Sequence, residues 1–448
     1  MNGKKAAATA ALALAVLGAG AAPVAAQEEA DAKAYRTAEG AQQVKGAASS
    51  ADGPMLEAGT TYLDTIDPGE ELYYKITLDA RSSTYVAFVA IPDPDDKVAY
   101  GDGFTASVRA ADNTECGGDE EKFGLDNRSR PIAEAVGRRI GPDEDCQQAG
   151  VYNVVIKRTS DPTSTPNPWK LEIRPNAEPP VKTAPGGEAA TWPEATPPPN
   201  AASETKPITG GSGFSTAAGM YDGVWKDKVL PGQTRYYRVP LDWGQSLTTY
   251  AEFGTVPVTD ESAWLGDAVS VEYYAPNGWH VGGEAEGYNG REQSQVVNYT
   301  PRIDFKNRDS DDVNAYKYAG WYVVAVHVHK DVAKFVKGAV PVTLRTSVKG
   351  KPTEGPVYDG DAVKAGYAVG DDDRDAARKG LTAAQADEGG IRTTLGYVGI
   401  GAGVLLLLGL AAWWLLARRQ AVPAPAGTPN PYQQQQQPPG GGYGYPQQ

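Results

Sequence analysis

Tyr62-Leu63-Asp64-Thr65-Ile66-Asp67-Pro68-Gly69, followed by Leu72-Tyr73-Tyr74-Lys75-Ile76-Thr77-Leu78-Asp79, returns 163 residues later as Trp225-Lys226-Asp227-Lys228-Val229-Leu230-Pro231-Gly232 and Arg235-Tyr236-Tyr237-Arg238-Val239-Pro240-Leu241-Asp242. The shared Asp, Pro-Gly, Tyr-Tyr, Leu and Asp positions mark an internal duplication, which has to be settled before any motif is read. Further on, Phe104, Ala106 and Val108 alternate as a strand, and the same offset reaches Asp267, Val269 and Val271. Ala149-Gly150-Val151-Tyr152-Asn153-Val154-Val155-Ile156 then matches Ala319-Gly320-Trp321-Tyr322-Val323-Val324-Ala325-Val326 at an offset of 170, so the second copy carries extra loop residues. Two homologous domains follow, at residues 44–175 and 208–348.

Within each copy the apolar period is two, the signal of half-buried strands. Leu72, Tyr74, Ile76 and Leu78 share one face, and Tyr237, Val239 and Leu241 repeat it. Pro-Gly pairs ahead of these strands are turn signals. The fold class expected is all-β: two tandem antiparallel β-sandwich domains, jelly-roll-like, plus one transmembrane helix.

The repeated unit, carried by Gly59 to Gly69 with Tyr73-Tyr74 and by Asp227 to Gly232 with Tyr236-Tyr237, resembles the bacterial pre-peptidase C-terminal domain. That resemblance implies a secreted β-sandwich used as an accessory or binding module, with no catalytic residues to carry over. Its usual setting includes a protease domain, which this chain lacks. The whole layout is similar to membrane proteins of high-GC Gram-positive bacteria.

Outside the repeats, composition sets the topology. Met1 to Lys5 is a short basic start, Ala6 to Ala22 is an Ala/Leu run, and Val24-Ala25-Ala26 offers small residues for cleavage, so residues 1–26 read as a signal peptide. Residues 27–43 form an N-terminal extension. Leu395 to Ala417 is 23 uncharged residues; at ~1.5 Å per residue it spans roughly 34 Å, enough to cross a bilayer within residues 394–417. Arg418-Arg419 and the nearby Trp413 and Trp414 place the following end inside, giving a type I single-pass cell-membrane protein with an extracytoplasmic ectodomain. Gly399 and Gly403 have the small-residue spacing of packed spans, which keeps a homodimer open. Residues 176–207 are a Pro/Ala-rich linker. Residues 349–393 are an acidic stalk with one short helix, Asp373 to Asp387, expected to hold the domains off the membrane. Residues 418–448 are a Pro/Gln/Gly/Tyr-rich cytoplasmic tail without the apolar content to fold.

The net charge is −14, and all 56 acidic but only 38 of the 42 basic residues lie between Gln27 and Thr393. Such an ectodomain repels nucleic acid. Cys116 and Cys146 are the only cysteines. In an oxidising compartment they pair, closing a loop of about 30 residues for roughly 3–4 kcal/mol.

Candidate sites are sparse. Of three histidines, His327 and His329 sit two apart on a strand, a spacing that two metal ligands can use, but the repeat aligns His327 with Lys157, a solvent-side position. Asp309, Asp311, Asp312 and Asn314 resemble a calcium loop without its glycine, and loop solvation is the better account. Trp264, Trp279 and Tyr288 are candidates for stacking on a glycan or partner, and Trp279 with Tyr316 for packing where the first domain has its disulfide. No nucleotide-binding glycine loop, Gly-x-Ser-x-Gly elbow or zinc-protease motif occurs. The expectation is a non-enzymatic cell-surface binding or scaffolding protein, with no cofactor, that binds a protein partner or a cell-wall component. The alternatives are an accessory subunit of a membrane assembly, such as an anchor for a protease or adhesion partner, and a glycan-binding module.

Overall fold

Alternating side chains need two faces to separate, and the chain supplies them as paired sheets. The computed structural model describes residues 32–124, 128–142 and 144–387. The expected signal peptide, membrane helix with Gly399 and Gly403, and tail lie outside these residues. Among the described residues no helix is long and apolar enough to cross a membrane.

The first domain contains Gln42–Gln43 (β1), Met55–Leu56 (β2), Tyr62–Ile66 (β3), Glu71–Leu78 (β4), Ser83–Ile91 (β5), Gly103–Arg109 (β6), Glu115–Lys122 (β7), Ile132–Arg138 (β8), Gly150–Thr159 (β9) and Trp169–Glu178 (β10). Sheet I has the order β1-β3-β10-β5-β8 and sheet II the order β2-β4-β9-β6-β7. After Val181–Thr183 (β11), the second domain contains Thr205–Pro207 (β12), Ala218–Gly219 (β13), Gly223–Val229 (β14), Thr234–Leu241 (β15), Ser246–Phe253 (β16), Leu265–Tyr274 (β17), His280–Tyr288 (β18), Ser294–Tyr299 (β19), Gly320–Val328 (β20) and Val340–Lys349 (β21). Val357–Tyr358 (β22) follows and pairs with β11. Sheet III is β13-β15-β20-β17-β18 and sheet IV is β12-β14-β21-β16-β19. Strand for strand, sheet IV repeats sheet I and sheet III repeats sheet II, so the sequence duplication is a duplication of topology. Both domains are sandwiches. The four longer strands of each sheet pair antiparallel, while the short edge strand of each is parallel to its neighbour, a departure from a purely antiparallel expectation.

The residues that reveal the repeat have a shared structural role. Asp64 Oδ2 accepts from the Gly46 N–H at 2.7 Å and from the Tyr74 hydroxyl at 2.7 Å. In the second copy, Asp227 Oδ2 accepts from Gly210 N–H at 2.7 Å and Tyr237 hydroxyl at 2.6 Å. Each tyrosine ring lies against its glycine: a Cβ on Gly46 or Gly210 would come within 2.8 Å of the ring, so only glycine lets the backbone approach. The aspartate thus ties the parallel edge segment to the strand that buries the tyrosine, and the pairing satisfies a buried hydroxyl.

The inward faces behave as the period predicts: Leu72, Tyr74, Ile76 and Leu78 are buried, as are Tyr237, Val239 and Leu241. Cys116 and Cys146 form the disulfide, with Cα atoms 5.6 Å apart.

Alternation does not predict what covers the outer faces. Sheet I packs its outer face on the outer face of sheet III, so the sheets stack in the order II, I, III, IV. Val89, Ile91 and Ala133 meet Tyr236, Tyr274 and Ala325 there, around Phe214. The interface is head to tail: it joins a sheet of one copy to the non-equivalent sheet of the other. His327 is the clearest consequence. Its counterpart Lys157 faces solvent on sheet II, but sheet III is covered, and His327 is 1% exposed with Nδ1 3.0 Å from the Thr234 hydroxyl. The expectation of a solvent-side histidine is therefore corrected; burial, then Arg128 and Arg130, push its pKa well below the ordinary histidine value.

The segments between and after the domains are fastened to them. Trp192 packs edge-on against Tyr299 and Tyr316, and Asn200 bridges to Thr346 and Arg345 on β21. Within the expected stalk, Asp371–Lys379 forms a helix (α1), ended by Gly380 in the left-handed region at φ 73°. The observed helix starts two residues before Asp373 and stops at Lys379, because glycine is the cheapest residue at that C-terminal conformation. Ala376 and Ala377 are buried against Gly219, and Arg374 pairs with Asp242 at 2.6 Å. This part of the stalk packs on the second domain.

Candidate functional site

A cavity of about 710 Å³ opens where three segments meet: the N-terminal extension at Arg36, the glycine-rich turn 207–212 before β13, and the end of α1 at Lys379 and Gly380. Each wall has a local cause. The turn is held by the Asp227–Gly210 bond, by a bridge from Gly211 to Tyr236, and by Arg36 N–H donating to Ser212 carbonyl at 3.0 Å. Arg235 projects from β15, and its Nη1 donates to Gly210 carbonyl at 2.9 Å, which fixes the guanidinium against the turn. Lys379 arrives because α1 docks through its alanine face.

Arg36, Arg235 and Lys379 line the cavity, and among the described residues no carboxylate lines it and none of the three forms an ion pair. On a chain of net charge −14 this is a local reversal of sign. Cations with low-dielectric walls focus field on an incoming anion. Threonine hydroxyls at 209, 216 and 382 and the Gln385 amide supply neutral polar groups around them. A cavity of this size fits a small ligand or one or two units of a polymer.

A second polar cluster lies in the seam between sheets I and III and shares no residue with the cavity. His280, at the start of β18, has Nδ1 3.3 Å from Glu121 Oε2 on β7 and Nε2 3.0 Å from Glu272 Oε2 on β17. Burial alone lowers the His280 pKa, but hydrogen bonds to Glu121 and Glu272, together with their charges, raise it to about 10. Burial raises the Glu272 carboxyl, yet the His280 hydrogen bond and then Arg130 hold it at about 2. Glu134 on β8 is 3% exposed, and burial pushes its pKa up to about 9. Glu121, Glu134 and His280 each offer one ligand atom within 4.8 Å of the others.

The residues singled out in the sequence are dispersed. Asp309 pairs with Lys306 at 2.8 Å; Asp311 and Asp312 are exposed on the same loop, the Asp312 carbonyl accepting from the Trp192 indole, and Asn314 begins a short turn. Trp264 is 68% exposed and its indole lies over Gly287. Tyr288 is buried, with its hydroxyl on Gly254 carbonyl. Trp279 donates to Asp119 across the seam and holds the Lys317 ammonium 4.5 Å above its ring, while Tyr316 stacks on Trp192 and donates to Val281. His329 caps the short helix Lys330–Lys334, accepting the Asp331 N–H. Neither His280 with its carboxylates nor the basic cavity was found by sequence reasoning. Both assemble residues far apart in the chain, and no local motif marks either.

No family model matches this chain, and no curated protein matches it. Solved structures similar to it include the CUB1-EGF-CUB2 domain of human MASP-1/3, at 8% identity over 64% of this chain and 99% of that one, TM-score 0.16. The CBM22-1-CBM22-2 tandem domain from Paenibacillus barcinonensis Xyn10C is similar at 10% identity over 65% of this chain and 92% of that one, TM-score 0.17. The ANX2 ectodomain from Arabidopsis thaliana is similar at 8% identity over 67% and 86%, TM-score 0.18. Likeness at this level carries no argument about function.

Proposed function

We propose that the chain is a non-enzymatic binding protein of the bacterial cell surface, anchored by one span, whose ectodomain takes an anionic group of an envelope component in the cavity between Arg36, Arg235 and Lys379. The observation that carries this reading is the convergence of three cations, without a carboxylate, on a cavity of about 710 Å³ in an acidic protein. Two features support it further. The signal-like start and the apolar run Leu395 to Ala417 fit an exported, anchored ectodomain, and the repeat's resemblance to pre-peptidase C-terminal domains fits an accessory module. The bound group is a phosphate or carboxylate, as in a phosphodiester or uronate polymer.

The test is calorimetric titration of the full-length protein in detergent micelles with a glycerol-phosphate polymer and, separately, with polygalacturonate. Saturable binding that weakens with salt is expected for one of them, at least tenfold weaker in Arg235→Gln and in Lys379→Gln. Absence of binding to both polymers, or equal affinity in wild type and both variants, refutes the assignment.

A further inference from the structure

Glu134 is a buried carboxyl with an incomplete set of partners. Its Oε1 accepts the Ala135 N–H at 2.6 Å and the His280 backbone N–H at 3.4 Å. Among the described residues nothing donates to Oε2, and Glu134 forms no ion pair. The charges that act on it include Asp119 and Glu121 of its own domain and His280 across the seam. Buried beside other carboxylates, Glu134 either keeps its proton, as its pKa of about 9 implies, or ionises against a bound cation.

We propose that Glu121, Glu134 and His280 bind one divalent first-row metal ion, with zinc the best match, and that the ion clamps the second sandwich to the first. The donor set is one imidazole nitrogen and two carboxylates, which suits zinc better than calcium or magnesium. Two ligands on a tetrahedral ion with bonds of ~2.0–2.1 Å stand roughly 3.3 Å apart. His280 Nδ1 and Glu121 Oε2 are already separated by 3.3 Å, and one donor atom from each of Glu121, Glu134 and His280 lies within 4.8 Å of the other two. A supporting shell is also in place. His280 Nε2 stands 3.0 Å from Glu272, which is itself held by Arg130 at 3.4 Å and Arg128 at 3.9 Å. A carboxylate on the far nitrogen of a ligating histidine fixes the ring and its tautomer. On binding, the imidazolium releases its Nδ1 proton and Glu134 its carboxyl proton to solvent as both take the metal, while Nε2 keeps its proton and donates it to Glu272. Glu121 and Glu134 come from the first domain and His280 from the second, so the ion would be a cross-link between them.

The experiment uses full-length protein in detergent, stripped with a chelator and titrated with zinc chloride, then with cobalt chloride as a spectroscopic probe. Expected are one zinc per chain, a raised thermal midpoint, and visible cobalt absorption of a four- or five-coordinate site. Affinity should fall at least 30-fold in Glu134→Gln, which keeps the side chain's shape, and in Glu121→Gln, which sits at the less buried rim and serves if the first variant misfolds. The proposal is overturned if wild type binds no stoichiometric zinc, with His280 then serving only as an imidazolium between Glu121 and Glu272. It is equally overturned if affinity and cobalt spectrum are the same in the folded variants as in wild type, which would mark an adventitious surface site.

Discussion

Lys317 is 1% exposed, and its ammonium has no hydrogen-bond acceptor among the described residues; it is held above the Trp279 ring instead. Burial, then the charges of Arg139 and Arg308, lower its pKa from 10.5 to about 7. The ring faces do not offset the lost hydration. Between about pH 7 and 10.5 the unfolded chain binds a proton here that the folded chain does not. This group's contribution to stability therefore rises with pH across that window, and below it the full cost of burying the charge remains. Lys317→Met should stabilise the protein by a few kcal/mol near pH 7, with the gain shrinking toward pH 10. Urea denaturation at both values checks this; a gain independent of pH would show that the ammonium is not the cause.

Strands that lie inside the stack differ from those at its outside. All nine residues of β5, Ser83–Ile91, are buried, because Val86, Phe88 and Ala90 face the core while Val89 and Ile91 face the second domain. The stretch Tyr85-Val86-Ala87-Phe88-Val89-Ala90-Ile91 is an uninterrupted apolar run, the signature of a strand covered on both faces. By contrast β4 alternates, since its outer face meets solvent. Helix α1 shows how a segment of acidic composition comes to be attached: seven of its nine residues are charged and lie exposed or paired, but Ala376 and Ala377 are small enough to let it lie against Gly219. Ala377→Glu should release α1, accelerating amide hydrogen exchange over residues 371–387 at least tenfold while leaving the sandwich strands protected. Unchanged exchange would mean that the Arg374–Asp242 pair suffices to hold the helix.

At the scale of the molecule, the head-to-tail contact makes the two copies unequal. The outer face of sheet II remains open, whereas that of its counterpart, sheet III, is buried with Tyr236, Tyr274 and His327. Tyr35 from the N-terminal extension enters the same seam, donating to Glu172 at 3.0 Å and meeting Tyr236 edge-on. An interface with an apolar centre and paired charges at its margin couples the folding of both domains. The prediction is a single calorimetric unfolding transition, which Val89→Arg splits into two by placing a charge at the centre of the contact. Two transitions in the unaltered protein would show that the domains unfold independently.

The duplication, the inward faces and the disulfide partners were legible in the amino-acid order, because period-two alternation and turn residues act over neighbouring positions. The packing of one sandwich on the other was not. Tyr73 and Tyr236, or Lys157 and His327, are equivalent in the repeat, and nothing within a few residues of either says which of the two will be covered. For the same reason neither candidate site could be read in advance: Arg36, Arg235 and Lys379, or Glu121, Glu134 and His280, acquire a common environment only when long-range packing excludes water between them. Local pattern decided the strands; the choice of which outer faces to bury, made by tertiary contact, decided where charge is concentrated.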